Sequence, residues 1–328
     1  MFCIKKNSNL APIPILLLLF AFSYLTPNTA KGQSYLYGGE MNFEVGLNFG
    51  ATWFLGDLGG GKGIGKSFIK DTNFQFTKPL VGLYMRYHFN QFLSFGINAN
   101  WAQLEAADRA IRPRSDASPE FFRYIRNLHF MTNILEAQAV VEFHPINIEL
   151  VSGDFISAYG MGGIGVFHFD PKTDYFNPQT NTIETVKLQP LGTEGQGIPG
   201  TGRSKYQLLE MQVPLAIGVR YILQNKYVFG IEAMHRLTMT DYIDDVSTTY
   251  VDPALFYANY ETPVADMIAA LARRSPEIDP GELYGRITEP GRIRGDSSDR
   301  DSFYSITFRV GIMFSGGYMG YRGGCPTF

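Results

Sequence analysis

The sequence predicts an all-β fold: a transmembrane, antiparallel, up-and-down β-barrel of about eight strands with long extracellular loops. Three observations support this prediction. Apolar and polar residues alternate with period two, the alternating segments are long, and short and long links between the segments alternate along the chain. Period-two alternation is the repeat of a β-strand. Combined with long segments and alternating link lengths, it is the sequence signature of an outer-membrane barrel.

The alternation is clearest near the two ends of the chain. In "KPLVGLYMRYHF" one face carries Val81, Leu83 and Met85, and in "SFYSITFRVGIMF" one face carries Ile306 and Phe308. Each segment is about 12 to 18 residues long, whereas a tilted strand needs only ~9–11 residues to cross a bilayer. The eight predicted segments lie at roughly 41–55, 78–89, 92–105, 127–144, 155–170, 207–221, 227–239 and 302–315.

The links between these segments alternate in length. The links after the second and sixth segments are short, and the link after the fourth, at about 145–154, is moderate. In outer-membrane barrels the short turns are periplasmic, the long loops are extracellular, and an even strand count places both termini in the periplasm. The long links, which we expect outside the cell, lie at about 56–77, 106–126, 171–206 and 240–301.

The N-terminus predicts a cleaved secretory signal peptide over residues 1–32. Lys5 and Lys6 precede an apolar run of about 15 residues, and Ala30-Lys31-Gly32 offers small residues for cleavage. The run is shorter than the ~20 residues of a membrane-spanning helix. An uncleaved anchor helix is the alternative interpretation. Cleavage would leave an exported mature chain.

The mature chain, residues 33–328, is predicted to form a single outer-membrane barrel domain that ends in a periplasmic tail, residues 316–328. The net charge of −3 gives the chain no general attraction to nucleic acid. Of the 2 cysteines, Cys3 lies within the signal peptide and Cys325 within the tail. A single thiol in an oxidising compartment is either free or paired with another chain.

A phosphate-binding-loop pattern, G-x-x-x-x-G-K-[ST], runs from Gly60 to Ser67. A functional loop of this kind follows a buried strand and opens a helix whose N-terminus holds the phosphate. Here the preceding segment alternates like a membrane strand, and the following "FIKDTNFQFTKPL" has no helical period. We therefore predict that the chain binds no nucleotide and no cofactor, and that the pattern lies in a flexible extracellular loop.

The polar face of the predicted strands carries charges of both signs. An eight-stranded barrel is only wide enough for side chains to fill it, and buried charges must pair. The near balance of sign predicts a salt-bridged plug and a non-enzymatic protein without an open pore. A catalytic group formed by Glu44, Glu136 or Glu232 with a neighbouring His is the alternative, although no nucleophile with a base is evident near the rim. The inward charges are Glu44, Arg86, Glu136, Glu142, Glu210, Arg220, Glu232, Arg236 and Arg309.

The longest predicted loop, about 240–301, contains three further signals. The stretch from Pro263 to Arg274 predicts a short helix, with Pro at its start and Arg at its end. Arg294-Gly295-Asp296 spells an integrin-binding tripeptide, which we interpret as a chance match. Two acidic sets could supply calcium ligands, but neither has the spacing of a known calcium loop, so a solvated acidic face is favoured. These sets are Asp241, Asp244, Asp245 and Asp252, and Asp296, Asp299 and Asp301.

Several motifs resemble the PorG-type family of outer-membrane barrels from Bacteroidota. The first strand exits through Gly56-Asp57-Leu58, the second contains Tyr84-Met85-Arg86-Tyr87, and the chain ends with Cys325-Pro326 close to its terminus. The resemblance covers the first three strands and the tail. Trp53-Phe54 stands where the family usually has Asn-Tyr, and the final loop is unusually long.

The resemblance implies a non-enzymatic part of the type IX secretion machinery, which also supports gliding in some relatives. Its implied partners are outer-membrane lipid and a periplasmic ring formed by a lipoprotein (PorK) and a second protein (PorN). Within this interpretation Cys325 forms an intermolecular disulfide with a ring subunit, and a free thiol is the alternative. The alternative function is a general surface barrel that serves adhesion or envelope stability.

Overall fold

The computed structural model describes most of the predicted mature chain. The predicted signal peptide, the phosphate-loop pattern and the tail with Cys325 lie outside the described residues, so those interpretations stay predictions. The described residues are 42–58, 74–110, 113, 115–118, 120–151 and 154–315.

Within the described residues, eight long strands form one closed antiparallel barrel, which confirms the predicted fold. The order around the barrel is β3-β2-β1-β10-β9-β8-β5-β4, and pairing of β3 with β4 closes the ring. A two-stranded hairpin of β6 and β7 joins β4 through one pair, Met131 with Lys172. The strands are β1 (Asn42–Leu55), β2 (Lys78–His88), β3 (Leu93–Ala107), β4 (His129–Val151), β5 (Asp154–His168), β6 (Lys172–Asn177), β7 (Thr182–Lys187), β8 (Leu209–Leu223), β9 (Tyr227–Thr238) and β10 (Ser302–Ser315).

The register places one apolar band on the outside of the barrel. Leu47 of β1 pairs with Leu83 of β2 on one side and with Val310 of β10 on the other, and all three side chains are exposed. The next residue along β1, Asn48, points inward and is buried. A continuous outer belt of exposed Leu, Val, Ile and Phe would be unstable in water, but it matches the lipid-facing belt of a membrane barrel.

One predicted link is wrong. The moderate turn expected at about 145–154 does not exist, because β4 runs to Val151 and β5 begins at Asp154. The strand continues past Pro145 through a register shift between Phe143 and Ile146 in its pairing with β5. A bulge tolerates a proline because one residue leaves the hydrogen-bonded ladder there.

The long links carry most of the remaining regular structure. Helices α1 (Phe121–Arg126), α2 (Ala254–Asn259) and α3 (Thr262–Ala272) lie in them. The predicted helix from Pro263 to Arg274 is confirmed as α3, which ends earlier because Arg273 is extended. No helix of the described residues is long and apolar enough to cross a membrane.

We name the two ends of the barrel by their links. The turn end carries the short links and the outer ends of β1 and β10, where Asn42 pairs with Ser315. The opposite end carries the cap, defined as the described residues of the four long links, in 56–77, 108–128, 169–208 and 239–301.

Apolar side chains close the barrel interior at both ends. At the turn end the buried cluster is Phe155, Ile222, Val228 and Met313. At the cap end a larger cluster, which includes Phe130, Phe167 and Phe303, joins the strands to the cap. The polar side chains of the lumen therefore lie between two apolar layers.

Candidate functional site

The upper polar layer of the lumen is centred on Glu136 of β4. Arg236 of β9 donates to this carboxylate from Nε (2.9 Å) and Nη2 (2.8 Å), and from Nη1 to the Ser305 hydroxyl (2.7 Å). Asn100 and Gln212 each donate to Glu136 at 2.8 Å. The carboxylate on β4 is therefore saturated with donors from three other strands, β3, β8 and β9. Such a saturated buried pair locks strands together and leaves no free group for chemistry.

The middle layer is centred on Arg309 of β10. Its Nη1 donates to Glu142 at 2.9 Å and to Glu232 at 3.1 Å, and its guanidinium lies 4.1 Å from the centre of the Tyr84 ring. Arg86 of β2 donates to the same Glu142 oxygen at 2.5 Å. Two guanidinium groups and two carboxylates thus compensate each other across the full width of the barrel.

The lower layer contains a chain of hydrogen bonds near the turn end. Glu44 of β1 accepts from Arg220 at 3.1 Å and lies 2.9 Å from His88 Nε2. His88 Nδ1 shares a hydrogen bond with the Ser94 hydroxyl at 2.7 Å, and Ser94 shares another with His144 Nε2 at 3.1 Å. The order carboxylate, imidazole, hydroxyl is that of a nucleophilic triad.

Access decides how this arrangement is interpreted. Ser94, Glu44 and His144 are completely buried, and the Phe155 cluster lies between them and the turn end. A nucleophile must reach a substrate atom at about hydrogen-bonding distance, and no substrate could approach Ser94 in this closed lumen. We therefore interpret the three groups as hydrogen-bonded packing. Sequence reasoning named Glu44 with a neighbouring His as an alternative, and the structure pairs it with His88, but that reasoning missed Ser94, which carries no local motif.

The structure brings together eight of the nine inward charges. The exception is Glu210, which is only half-buried and has no ion pair among the described residues. Its position explains the difference, because on β8 it lies two residues nearer the cap than Gln212, the side chain that donates to Glu136. The prediction that Glu210 belongs to the charge network is therefore wrong. The paired charges are Glu44, Arg86, Glu136, Glu142, Arg220, Glu232, Arg236 and Arg309.

Arg126, at the end of α1, ties three links of the cap together. It forms a two-pronged ion pair with Asp108, with both donor distances at 2.8 Å. It also donates to the backbone carbonyls of Asp57 and Arg294, each at 2.6 Å. One buried guanidinium thus connects the links that follow β1, β3 and β9.

A second buried ion pair joins the link that precedes β8 to the longest link, which follows β9. Arg294 donates to Glu194 at 3.0 Å, and Glu194 also accepts from the backbone N–H groups of Ser247 and Thr248. Because Arg294 is buried and held in this way, the tripeptide Arg294-Gly295-Asp296 does not present its arginine to a receptor.

The acidic residues of the longest link do not form one solvated face, and that prediction is wrong. Asp244, Asp245 and Asp301 are buried, whereas Asp252, Asp296 and Asp299 are exposed, as the prediction expected. Burial raises the pKa of Asp245 to about 6, although Arg294 and the Thr193 and Tyr206 hydroxyls oppose the shift. The cause of the burial is the fold of the link, which turns inward between β9 and β10.

The family motif Gly56-Asp57-Leu58 lies at the base of the cap. A Cβ atom on Gly56 would overlap the Asp301 carboxylate and the Phe54 ring, so any larger residue would displace one of these side chains. Leu58 is buried in the large apolar cluster, and its N–H donates to Asp244 at 3.1 Å. The motif therefore connects the exit of β1 to the longest link. Tyr84 and Arg86, the other motif residues, both belong to the lumen network.

The fold and the filled lumen define a class: this chain has the fold of eight-stranded outer-membrane β-barrels. Solved structures of that class are similar to it. The attachment invasion locus protein Ail of Yersinia pestis matches with 10% identity and a TM-score of 0.31, over 84% of this chain and 98% of that one. OprG from Pseudomonas aeruginosa matches with 9% identity and a TM-score of 0.34, over 85% and 97%. The N-terminal barrel domain of Pseudomonas aeruginosa OprF matches with 8% identity and a TM-score of 0.28, over 83% and 97%.

No protein-family model matches the chain, and no curated protein matches it significantly. The assignment of the fold rests on the closed strand order and the outer apolar band. All members of the class share these features, so they do not identify a particular member.

Proposed function

We propose that this chain is a non-enzymatic outer-membrane barrel that acts through its two ends. The observation that carries the proposal is the lumen, where four glutamates and four arginines are paired between two apolar layers. A conducting pore needs a water-filled path, and barrels with aqueous channels have about twice as many strands. A site for chemistry needs access, which the buried Ser94 lacks. The protein would therefore act through the surfaces of the turn end and the cap.

We further propose that the chain belongs to the type IX secretion machinery. The support is the resemblance of Gly56-Asp57-Leu58 and of Tyr84 and Arg86 to the PorG-type motifs. In the structure the first three residues connect β1 to the cap, and Tyr84 and Arg86 take part in the lumen network, so each motif position has contacts that a substitution would disturb. Under this proposal the turn end faces the periplasm and the cap faces the outside.

The partner on the periplasmic side would be the ring formed by a lipoprotein and its companion protein. The two outer strand ends, Asn42 and Ser315, pair at the turn end, so β10 ends there. The segment that follows β10, residues 316–328, contains Cys325. We propose that Cys325 forms a disulfide with a ring subunit and holds the ring beneath the membrane.

The test is affinity purification of tagged protein from native outer membranes, followed by reducing and non-reducing gels. The proposal expects a periplasmic lipoprotein to co-purify, with a high-mass band that disappears under reduction and in a Cys325→Ser strain. Co-purification that persists without the band would retain the ring and reject the disulfide. Recovery of the barrel alone would reject the secretion role.

The second candidate function is a surface barrel for adhesion or envelope stability. A specific observation favours it, because the cap exposes apolar side chains at its periphery, among them Phe74, Ile183 and Leu283. Deleting the β6–β7 hairpin (Lys172–Lys187) tests it, since the hairpin is joined to the barrel sheet through only one backbone pair, Met131 with Lys172, among the described residues. A surface phenotype with normal secretion would favour this second function over the first.

A further inference from the structure

Four aspartates from three separate segments meet at the base of the cap. Asp57 follows β1, Asp241 and Asp244 follow β9, and Asp301 immediately precedes β10. β10 pairs with both β1 and β9, so the fold brings the ends of these three strands side by side. The sequence separates the members by up to 244 positions, which explains why no local motif indicates the cluster.

Hydrogen bonds fix the segments to one another. Asp301 accepts from the Ile243 N–H at 2.8 Å through Oδ2, and its own N–H donates to the Thr240 carbonyl at 3.1 Å. Its other oxygen, Oδ1, points at Gly56, where an added Cβ would collide with it. Asp244 reaches the same segment from the other side, since its Oδ2 accepts from the Leu58 N–H.

The four carboxylates lack the cations that other buried acids of the cap possess. Asp108 and Glu194 each have an arginine partner. Among the described residues, no Lys, Arg or His forms an ion pair with Asp57, Asp241, Asp244 or Asp301. Arg126 lies close enough to attract Asp57 and Asp244, but its hydrogen bonds go to the Asp108 carboxylate and to the backbone carbonyls of Asp57 and Arg294.

Three carboxylate oxygens of the cluster, both of Asp241 and Oδ1 of Asp301, accept no hydrogen bond within the described residues. Asp301 is only 1% exposed. A buried carboxylate oxygen without a donor is costly, and an isolated buried charge costs far more. Such a group holds either a proton or a cation. Asp57 and Gly56 are partly open to solvent, which leaves an entry path.

We propose that this cluster binds one divalent cation, calcium, with Asp241 and Asp301 as direct ligands and Asp57 and Asp244 supplying further negative charge. No three acidic, His or Cys side chains of the described residues are placed so that they could hold a metal ion together, so the chain supplies at most two side-chain ligands. Water and backbone carbonyls would therefore complete the shell, which calcium accepts readily because it takes 6–8 oxygens in flexible geometry. Extracellular calcium sites work at about 10⁻⁴–10⁻³ M. Exposure to that calcium rests on the orientation in the proposed function, whereas binding itself does not.

The test uses the full mature barrel, purified in detergent and free of chelator. Terbium is titrated as the luminescent probe, excited through the neighbouring Tyr242, and then displaced with calcium. We expect saturable terbium signal, displacement at roughly 10⁻⁴–10⁻³ M calcium, and a thermal midpoint that rises with calcium. Asp301→Asn and Asp241→Asn should each weaken displacement by about tenfold or more, because affinity follows the number of charged ligands.

Glu289→Gln is the matched control, since it makes the same chemical change on an exposed cap residue, and it should bind calcium like the wild type. A second readout separates binding from folding. Without calcium, Asp301→Asn should raise the thermal midpoint above that of the wild type, because it removes repulsion among buried carboxylates. A wild-type protein that shows no calcium-dependent shift, or displacement equal in Asp301→Asn and the wild type, would overturn the proposal. Equal displacement by magnesium would overturn the assignment to calcium. Each result stands whether or not a secretion partner is found.

Discussion

The lumen network makes a strong prediction for Arg236→Met. The substitution keeps the length of the side chain but removes three donors, two to Glu136 and one to Ser305. Glu136 would keep only the neutral donors of Asn100 and Gln212 and would remain completely buried. Removing one partner of a buried ion pair costs about 3–5 kcal/mol, so we expect a loss of that size in the free energy of unfolding.

The partner substitution separates the charge from the packing. Arg236→Met combined with Glu136→Met removes both charges, and replacing a buried pair with apolar groups is often close to neutral. We therefore expect the double variant to be more stable than Arg236→Met alone by about 2 kcal/mol or more. Arg109→Met is the control, because its ion pair with Glu277 is half-exposed and worth at most about 1 kcal/mol.

The assay is equilibrium urea unfolding of the barrel in lipid vesicles, followed by the fluorescence of Trp53 in β1 and Trp101 in β3. The free energy is extrapolated linearly to zero urea for each variant. If Arg236→Met loses no more stability than Arg109→Met, the lumen charges do not brace the barrel and the reasoning fails. The reasoning also fails if the double variant loses as much free energy of unfolding as Arg236→Met and Glu136→Met lose together when each is measured alone.

Three further predictions follow from the cap and the closed lumen. Gly56→Ala should loosen the cap by about 1–3 kcal/mol, since its Cβ overlaps Asp301, and earlier protease cleavage of the cap would show this. Gly281→Ala, which has open space, should not be cleaved earlier. In calcium-free buffer the thermal midpoint should rise as pH falls from about 8 towards about 4. The pKa values of Asp57 (about 6) and Asp241 (about 8) are raised in the fold, so the folded state binds more protons than the unfolded state in this window and stability falls as pH rises; a midpoint that falls towards pH 4 would contradict this. In planar bilayers the barrel should conduct no steady current, and a stable open channel would refute the closed lumen.

The barrel was predictable because its information is local. Alternation at Val81, Leu83 and Met85 identifies a strand without any knowledge of its neighbours, and the same alternation fixes which residues face inward. The order of short and long links then fixes the antiparallel neighbours. Even the inward charges could be named, since the strand period alone assigns Arg86 or Glu136 to the lumen.

Other features were missed for physical reasons. The β6–β7 hairpin has a local signal, a turn around Asn181 between short runs rich in Thr and aromatic or branched residues, but its strands are too short to stand out beside membrane strands. The contacts of Ser94 with two histidines depend on three strands. Sequence alone shows each residue but not the register that joins them.

The buried carboxylates of the lumen are paired with arginines, whereas those at the base of the cap form no ion pair among the described residues. In the lumen, four glutamates meet four arginines, so the charge is balanced within the chain and no ligand is needed. At the base of the cap, Asp301 and its three neighbours form no ion pair among the described residues, and the proposed calcium ion would compensate their charge. The strand period places lumen side chains opposite one another at every second residue, whereas the neighbours of a link that turns inward between β9 and β10 come from segments far apart in the sequence. The balanced charges of the lumen therefore stabilise the barrel. The four aspartates at the base of the cap carry the unbalanced negative charge, and this is where a bound cation would change the stability of the protein.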